Sequence, residues 1–241
     1  MTTLNFALLS SILTFSCLSL AAPGTLTGKV AFKGKVPKAD TIKMSGDPAC
    51  LKENQGKSIP REEMIVSANG TLANVFIYIK DGVKKDGIPA APTEPVVFDQ
   101  RGCNYTPHVF GIRVGQPLKI LNSDPMLHNV HSMAKINSGF NLGMSKQGQS
   151  LEKKFSKPEI GVRIKCDVHG WMTGYANVVE HPYFAVSDTA GKFSIPNLPA
   201  GDYTVEAWHE KLGTQSQKIT VKDGAPAALN FTFEALGSPK G

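Results

Sequence analysis

Apolar and polar residues alternate along much of this chain, and the period of the alternation predicts its secondary structure. In residues 24–32 every second position is apolar or glycine, and Val75 and Ile77 mark the same period in residues 72–80. Successive side chains of a β-strand point to opposite faces, so a period of two indicates half-buried strands. Further short runs of this kind fill residues 96–233 between turn-forming residues. The pattern predicts an all-β protein made of β-sandwiches.

The spacing of these runs also divides the chain. Proline-rich residues 88–95 have no apolar period and indicate a boundary, and the pattern changes again after Pro182. Residues 33–63 are polar and interrupted by Gly and Pro, which predicts an extended excursion attached through Cys50. We predict N-terminal strands with this excursion, a central domain and a C-terminal module, at residues 22–95, 96–181 and 182–241. The strands predicted after residue 95 are 96–99, 109–114, 118–121, 130–133, 151–155, 162–166, 175–179, 184–187, 192–195, 203–209, 217–221 and 229–233.

One short stretch concentrates soft metal ligands. Cys166, His169 and Met172 follow one another at the spacing Cys-x2-His-x2-Met. Thiolate and thioether ligands favour copper over hard cations, and Cys166 falls on the apolar face of the strand predicted at 162–166. The loop lacks a second imidazole, for which His128 is the obvious donor. A plainer interpretation stays open, in which Cys166 is a buried thiol or half of a disulfide and the other residues are ordinary core or surface residues.

Together the two motifs resemble a known family. His-Asn-Val at residues 128–130 and the Cys-x2-His-x2-Met loop at residues 166–172 are similar to the cupredoxin signature, with a short loop of the amicyanin type. The resemblance covers roughly residues 96–179. It implies a Greek-key β-sandwich that holds one type 1 copper ion. The implied ligands are three strong ones and a weak axial one, namely His128, Cys166, His169 and Met172.

The resemblance also implies a function. A site closed by four protein ligands leaves no position for a small-molecule substrate, so it implies a one-electron carrier between Cu(I) and Cu(II) and not an enzyme. The partner would be a redox protein. The resemblance further implies that the Asn129 backbone N–H lies near the Cys166 sulfur. Gly170 and Trp171 would form an apolar rim from which an exposed edge of His169 passes the electron.

Two further histidines keep other functions open. His131 and His108 are candidates for a role around the ligands, and either could instead be an extra ligand. An extra ligand would indicate a non-blue copper enzyme with an open site. A third hypothesis is a non-redox binding or copper-handling protein. Cys103 and His108 are five residues apart, but one Cys and one His are too few for a closed zinc site.

The C-terminal residues carry a second resemblance. Asp188-x-x-Gly191-x-Phe-x-Ile followed by a Leu-Pro-x-Gly-x-Tyr corner at residues 198–203 is similar to the carboxypeptidase regulatory-like, prealbumin-type β-sandwich module. The strands that usually open this module are missing after Pro182, but similar strands occur at residues 28–30 and 75–79. The copper domain could therefore be inserted into a discontinuous second sandwich. Two consecutive sandwiches divided near Pro182 are the simpler alternative.

The N-terminus and the cysteines indicate export. Residues 4–20 contain no charge and end in small residues, which predicts a signal peptide at residues 1–21 and a periplasmic or secreted protein. An uncleaved anchor, or lipid attachment at Cys17, is the alternative. We otherwise expect no membrane attachment. In an oxidising compartment a Cys50–Cys103 disulfide would leave Cys166 free for copper, whereas a disulfide to Cys166 would abolish the site.

Net charge narrows the choice of partners only a little. The chain carries a formal charge of +6 with a pI near 9.1. However, its Lys and Arg residues are spread evenly and form no cluster interleaved with aromatic residues, which argues against nucleic acid as a partner. No glycine-rich phosphate loop follows a predicted strand.

Overall fold

The computed structural model describes residues 23–36, 38 and 40–235, and this part of the chain consists of β-strands and one short helix. The all-β prediction is therefore confirmed. The predicted signal peptide, including Cys17, lies outside the described residues. Within the described ranges, no helix has the length and apolar character that crossing a bilayer demands.

The elements follow one another in the order that the alternation of the sequence suggests, with additional short strands. They are β1 (Gly24–Lys33), β2 (Thr41–Ile42), α1 (Pro48–Glu53), β3 (Ile59–Pro60), β4 (Phe76–Asp81), β5 (Val96–Arg101), β6 (Asn104–Thr106), β7 (Val109–Arg113), β8 (Leu118–Asn122), β9 (His128–Ser132), β10 (Phe140–Met144), β11 (Ser150–Lys153), β12 (Glu159–Lys165), β13 (Thr173–Val179), β14 (Phe184–Val186), β15 (Lys192–Leu198), β16 (Gly201–His209), β17 (Gly213–Val221), β18 (Ala227–Ala228) and β19 (Phe231–Glu234).

Strands β5 to β13 form one β-sandwich, which we call the central sandwich. One of its sheets has the order β10-β9-β12-β13-β7, and the other has the order β11-β8-β5-β6. Alternate side chains from both sheets meet between them, as the period of two requires. Phe98, Ile120, Val130 and Ile164 are completely buried in this core. The sandwich therefore fixes the ends of β9 and β12, where the two sequence motifs lie.

The remaining long strands form a second β-sandwich from both ends of the chain, which we call the terminal sandwich. In one sheet β1 pairs with β15, β18 and β19, and the other sheet has the order β14-β4-β16-β17. Leu26, Ile77, Ile195 and Val205 are completely buried between them. Because β1 and β4 share this core with strands after residue 183, we propose that the central sandwich is inserted into a discontinuous terminal one.

The two sandwiches pack against each other through a separate apolar cluster. Phe76 and Tyr78 of β4 are buried there against Val109 and Val179 of the central sandwich. At Gly111 a Cβ atom would lie 2.3 Å from the ring of Phe184, so only glycine allows this close approach. The two sandwiches thus share a tightly packed apolar contact.

Residues 40–63 differ from the extended excursion that we predicted. They contain the β2–β3 pair and helix α1. Asp47 is the N-cap of α1, where its side chain accepts hydrogen bonds from the N–H groups of Ala49 and Cys50, and Pro48 occupies the first turn. These are standard helix-start residues, but six helical residues give too short an apolar period to stand out. The helix lies over the end of the central sandwich that carries the two motifs.

Candidate metal centre

The register of two neighbouring strands brings the two motifs together. In the β9–β12 pair, Ser132 lies opposite Ile164 and His131 opposite Lys165. The strands are antiparallel, so continuing this register past the end of β12 leads the following loop towards His128, the first residue of β9. Two motifs that are far apart in sequence are therefore adjacent because of strand pairing.

The loop that follows β12 is closed by its own backbone. The N–H of Cys166 donates to the Met172 carbonyl at 3.2 Å, and the N–H of Met172 donates to the His169 carbonyl at 2.9 Å. The N–H of His169 points at the Cys166 sulfur at 3.3 Å. From outside the loop, Asn129 Oδ1 accepts the N–H of Asp167 at 2.7 Å. These bonds hold the Cys and His side chains on the inner side of one tight turn.

Three of the four predicted ligands converge on one point. The Nδ1 atoms of His128 and His169 are 2.9 Å apart, and His169 Nδ1 is 3.9 Å from the Cys166 sulfur. One donor atom from each of the three residues lies within 4.8 Å of the others. The three residues are buried, with exposed fractions of 0%, 1% and 3% for His128, Cys166 and His169. Such a cluster can surround a small ion without contact to bulk water.

The outer nitrogen of each histidine faces a carboxylate. His128 Nε2 lies 2.8 Å from Asp124 Oδ2, and His169 Nε2 lies 2.9 Å from Asp47 Oδ2. A carboxylate accepts hydrogen bonds, so each Nε2 is assigned the ring proton. Both Nδ1 atoms then present lone pairs to the same point, beside a cysteine sulfur. Lone pairs at that distance repel unless a proton or a metal ion lies between them, and the cluster therefore fits a cation.

The charges around the cluster reinforce one another. Burial lowers the pKa of His128, but Asp124 and Cys166 more than offset this and raise it to about 9. Burial likewise raises the pKa of Cys166, but His128 and nearby backbone N–H groups bring it below its ordinary value. The pKa of Asp124 is also below its ordinary value, because the His128 ring and two backbone N–H groups outweigh the effect of burial. The cysteine sulfur and the two carboxylates thus favour a positive charge at the centre.

The donor types fit copper better than a hard cation. One cysteine sulfur and two imidazoles point inwards, whereas both carboxylates face the outer nitrogens, and copper prefers soft sulfur and imidazole ligands. Met172 is completely buried in the same core as Cys166. Its assignment as the axial ligand, like the ligand set as a whole, stays a prediction.

Asn129 lies where the sequence analysis expected a residue that contacts the sulfur. Its backbone N–H lowers the pKa of Cys166. Its side-chain Oδ1 lies 3.3 Å from the Cys166 sulfur. Asn129 therefore links the start of β9 to the loop after β12, beside the atom that the predicted site depends on.

The other two histidines point away from the cluster. His131 is partly exposed, and its Nδ1 lies 2.9 Å from Asp167 Oδ2 on the outside of the sheet. His108 Nδ1 lies 3.0 Å from the Thr173 carbonyl, and its Nε2 makes a short hydrogen bond with Glu210 of the terminal sandwich. Neither ring is placed as an additional ligand. His108 instead bridges the two sandwiches, and it contacts the central one at Thr173, the residue after Met172.

One expectation about His169 is wrong. The sequence predicted an exposed ring edge within an apolar rim, but the ring is buried and its Nε2 faces Asp47, with the Cys50 sulfur 3.6 Å away. Trp171 donates its indole N–H to the Cys103 carbonyl at 3.0 Å, so it packs beneath the disulfide. The reason is that residues 40–63 cover this end of the sandwich. The resemblance to a cupredoxin contains no information about that segment.

The disulfide excludes the alternative in which Cys166 is bonded to Cys50 or Cys103. Cys50 and Cys103 are bonded to each other and buried, and Cys166 keeps a free, buried thiol. The bond attaches α1 to the turn between β5 and β6. Two backbone N–H groups of the same turn, those of Gly102 and Cys103, donate to Asp124 at 2.7 and 2.8 Å. The disulfide, α1 and Asp124 thus form one connected support around the two histidines.

Sequence reasoning missed the two carboxylates. For Asp47 a signal existed, because Asp followed by Pro is a common helix start, although it does not reveal what the helix covers. Asp124 lies four residues before His128, but that separation has no meaning without the turn between β8 and β9. Both residues could be named only from their contacts.

Comparison with known protein families supports the resemblance of the C-terminal residues. A model of the carboxypeptidase regulatory-like domain matches residues 175–234, which confirms the second resemblance and extends it into β13. No curated protein sequence matches the chain significantly.

Three solved structures are similar to part of this chain at low TM-scores. A Cu-containing nitrite reductase (NirK) from Thermus scotoductus is 23% identical at a TM-score of 0.35, over 42% of this chain and 25% of its own. An oxidized amicyanin that carries a single substitution is 24% identical at a TM-score of 0.32, over 41% of this chain and 98% of its own. A purple cupredoxin from Nitrosopumilus maritimus is 25% identical at a TM-score of 0.28, over 32% and 82% of the two chains. This chain spans only a quarter of the nitrite reductase.

Proposed function

We propose that this protein is an exported one-electron carrier with a single copper ion in the central sandwich. The proposed ligands are His128, Cys166, His169 and Met172. The observation that carries the proposal is the convergence of two imidazole Nδ1 atoms and a free cysteine sulfur, with both outer nitrogens bound to carboxylates. A bound copper ion would supply exchange between Cu(I) and Cu(II).

The residues around the cluster support electron transfer over catalysis. The three convergent donors and Met172 are all buried, so the protein groups surround the site and leave little room for a substrate. Because the loop and both histidines are fixed by hydrogen bonds, the donors need to move little between oxidation states. A catalytic metal normally keeps an open position. His131 and His108, the candidates for extra ligands in an open site, are engaged with Asp167 and Glu210.

The surface beside the cluster supports a protein partner. Leu127 precedes His128 and is 48% exposed, and Val168 precedes His169 and is 50% exposed. Exposed apolar side chains beside a buried redox centre suit brief docking of a second redox protein, which we propose as the partner. Export to the periplasm or to the medium is consistent with the disulfide, which oxidising compartments maintain.

The test is the visible and EPR spectrum of the purified protein after addition of Cu(II). A thiolate bound to Cu(II) in a site of this type gives intense visible absorption. We expect Cys166→Ser to abolish that absorption and leave the circular dichroism of the fold unchanged. His131→Ala is the matched control, because it removes an imidazole that points away from the cluster, and its spectrum should match that of the wild type.

The alternatives give different results. A wild-type protein that binds no copper would overturn the proposal and favour a non-redox binding protein. Copper binding without intense absorption, together with exchangeable water on the metal, would favour a non-blue enzyme. Loss of the spectrum in His131→Ala would show that His128 is the wrong choice of ligand.

A further inference from the structure

Helix α1 brings a carboxylate to the outer face of His169, and this contact is not part of the proposed ligand set. Asp47 Oδ2 lies 2.9 Å from His169 Nε2, on the opposite side of the ring from the nitrogen that faces Cys166. The ring is 3% exposed. In a solvent-exposed imidazole, Nε2 would bond to water. In His169 it bonds to the Asp47 carboxylate instead.

The same carboxylate is fixed at its other oxygen. Asp47 Oδ1 accepts the N–H groups of Ala49 at 2.9 Å and Cys50 at 3.0 Å, at the start of α1. The two oxygens therefore have separate partners, one set in the helix and one in the His169 ring. Any rotation of the carboxylate that broke one set of hydrogen bonds would also strain the other.

The helix itself is anchored at both ends. The Cys50–Cys103 disulfide attaches its first turn to the central sandwich. At its C-terminal end, Asn54 donates to the carbonyl of Gly102 at 2.8 Å. Helix α1 is therefore attached to the β5–β6 turn, whose N–H groups also bind Asp124. The same turn thus supports the carboxylates behind both histidines. Asp47 is thus held in place at both carboxylate oxygens.

We infer that Asp47 is a positioning residue for the copper site: it holds the proton on His169 Nε2, orients the ring and directs the Nδ1 lone pair at the metal. This inference rests on the proposed function. A hydrogen-bonded carboxylate makes an imidazole a stronger donor, and its negative charge favours Cu(II) over Cu(I). Loss of such a contact typically weakens metal binding by about 10–100-fold.

The test compares Asp47→Asn with Asp40→Asn. Asparagine is also a good N-cap, so the first variant removes the charge at His169 while α1 keeps its cap. Asp40 lies in the same segment, is exposed and forms an ion pair with Arg61 at 3.2 Å, so its variant makes the same change of charge without contact to the ring. Affinities for Cu(II) and Cu(I) are measured by competition with chelators. The His169 ring is also followed by nitrogen NMR in the copper-free protein.

We expect Asp47→Asn to weaken Cu(II) binding about 10–100-fold, to weaken Cu(I) binding less, and to move the Nε2 signal of His169 in the absence of copper. Each tenfold difference between the two oxidation states raises the reduction potential by about 59 mV. Asp40→Asn should match the wild type in every measurement. Equal affinities and an unchanged ring signal in Asp47→Asn would overturn the inference.

A wild-type protein without copper binding would overturn the proposed function, and the NMR measurement separates that failure from this one. If the ring signal still moves in Asp47→Asn, the Asp47–His169 bond exists, but its role is only structural. If copper binds with the predicted spectrum and neither affinity nor the ring signal changes, the proposed function stands and Asp47 has no positioning role.

Discussion

The two histidines that face Cys166 are supported by carboxylates of very different origin. Asp124 is four residues from His128, and both side chains are completely excluded from solvent. Asp47 is 122 residues from His169, and its side chain is 31% exposed. The hydrogen bonds are almost equally long, at 2.8 and 2.9 Å. The hydrogen bonding at the two rings is therefore similar. The parts of the fold that hold the two carboxylates in place are different.

Because of this difference, one carboxylate of the site can be changed without damage to the fold and the other cannot. The Asp124–His128 pair belongs to the central core, because the carboxylate also satisfies two backbone N–H groups of the β5–β6 turn. In the Asp47–His169 pair, the carboxylate belongs to the N-cap of α1, and this helix lies outside both sandwiches. Changes at Asp124 should therefore affect stability first, and changes near Asp47 should affect mainly the properties of the site.

Asp124→Ala should lower the free energy of unfolding more than any other substitution considered below. The substitution leaves His128 and two backbone N–H groups buried without their acceptor, and removal of one partner of a buried ion pair costs about 3–5 kcal/mol. Chemical denaturation of the copper-free protein measures the loss. Asp86→Ala removes an exposed aspartate and should leave the free energy of unfolding unchanged. A loss as small as that of the control would mean that Asp124 is not part of the core and that the contrast between the two pairs is wrong.

Removal of the disulfide should have the next largest effect on stability. It should loosen the Asp47–His169 pair and leave the Asp124–His128 pair intact. In Cys50→Ala/Cys103→Ala the chain loses a cross-link between residues 53 positions apart. Loss of a native disulfide lowers stability by about 2–4 kcal/mol, chiefly because the unfolded chain gains freedom. Chemical denaturation checks this magnitude.

Hydrogen exchange locates the effect of the same variant. The amides of α1 should exchange faster, because the helix has lost its covalent anchor, while the amides of β9 around Val130 should keep their protection. Equal loss of protection in α1 and β9 would mean that the disulfide supports the whole central sandwich. The Asp124–His128 and Asp47–His169 pairs would then not differ in their dependence on the core.

Much of the fold was predictable because the alternation of side chains repeats the geometry of each strand. The strand at residues 24–32 and that at residues 175–179 were assigned within two residues of their observed bounds. Strands β6 and β10 were missed. They are three and five residues long, and such short runs are easily passed over, although Phe140, Leu142 and Met144 of β10 do alternate with Asn141 and Gly143.

The candidate site was predictable only as far as local spacing determines it. The loop motif fixes the separation of Cys166 and His169, and the structure brings His128 to them through strand register. The cover over His169 could not be predicted, because residues 33–63 have no period and their position depends on a disulfide and on contacts with distant residues. The expected exposed edge of His169 was wrong for this reason.

A third pair of histidine and carboxylate lies outside the candidate site and joins the two sandwiches. His108 of the central sandwich bonds Glu210 of the terminal sandwich, and both side chains are 4% exposed. Burial lowers the pKa of His108, but Glu210, with smaller contributions from Glu62 and the Thr173 carbonyl, raises it above its ordinary value. Hydrogen bonds to charged groups contribute about 1.5–3 kcal/mol, so this pair should matter less than the disulfide.

The sign of the pH dependence follows from the raised pKa of His108. The protonated ring is stabilised in the folded protein, so its contribution is complete below the pKa of an unfolded histidine, about 6.5. It is lost as the pH rises through the higher pKa of the folded state.

His209, whose lowered pKa acts in the opposite direction, also contributes to the dependence of total stability on pH. The measurement is therefore the difference in unfolding free energy between the wild type and Glu210→Gln, followed upwards from about pH 6. That difference should shrink as the pH rises; a constant difference would mean that the His108–Glu210 bond is equally strong with a neutral ring and that the pair does not depend on charge.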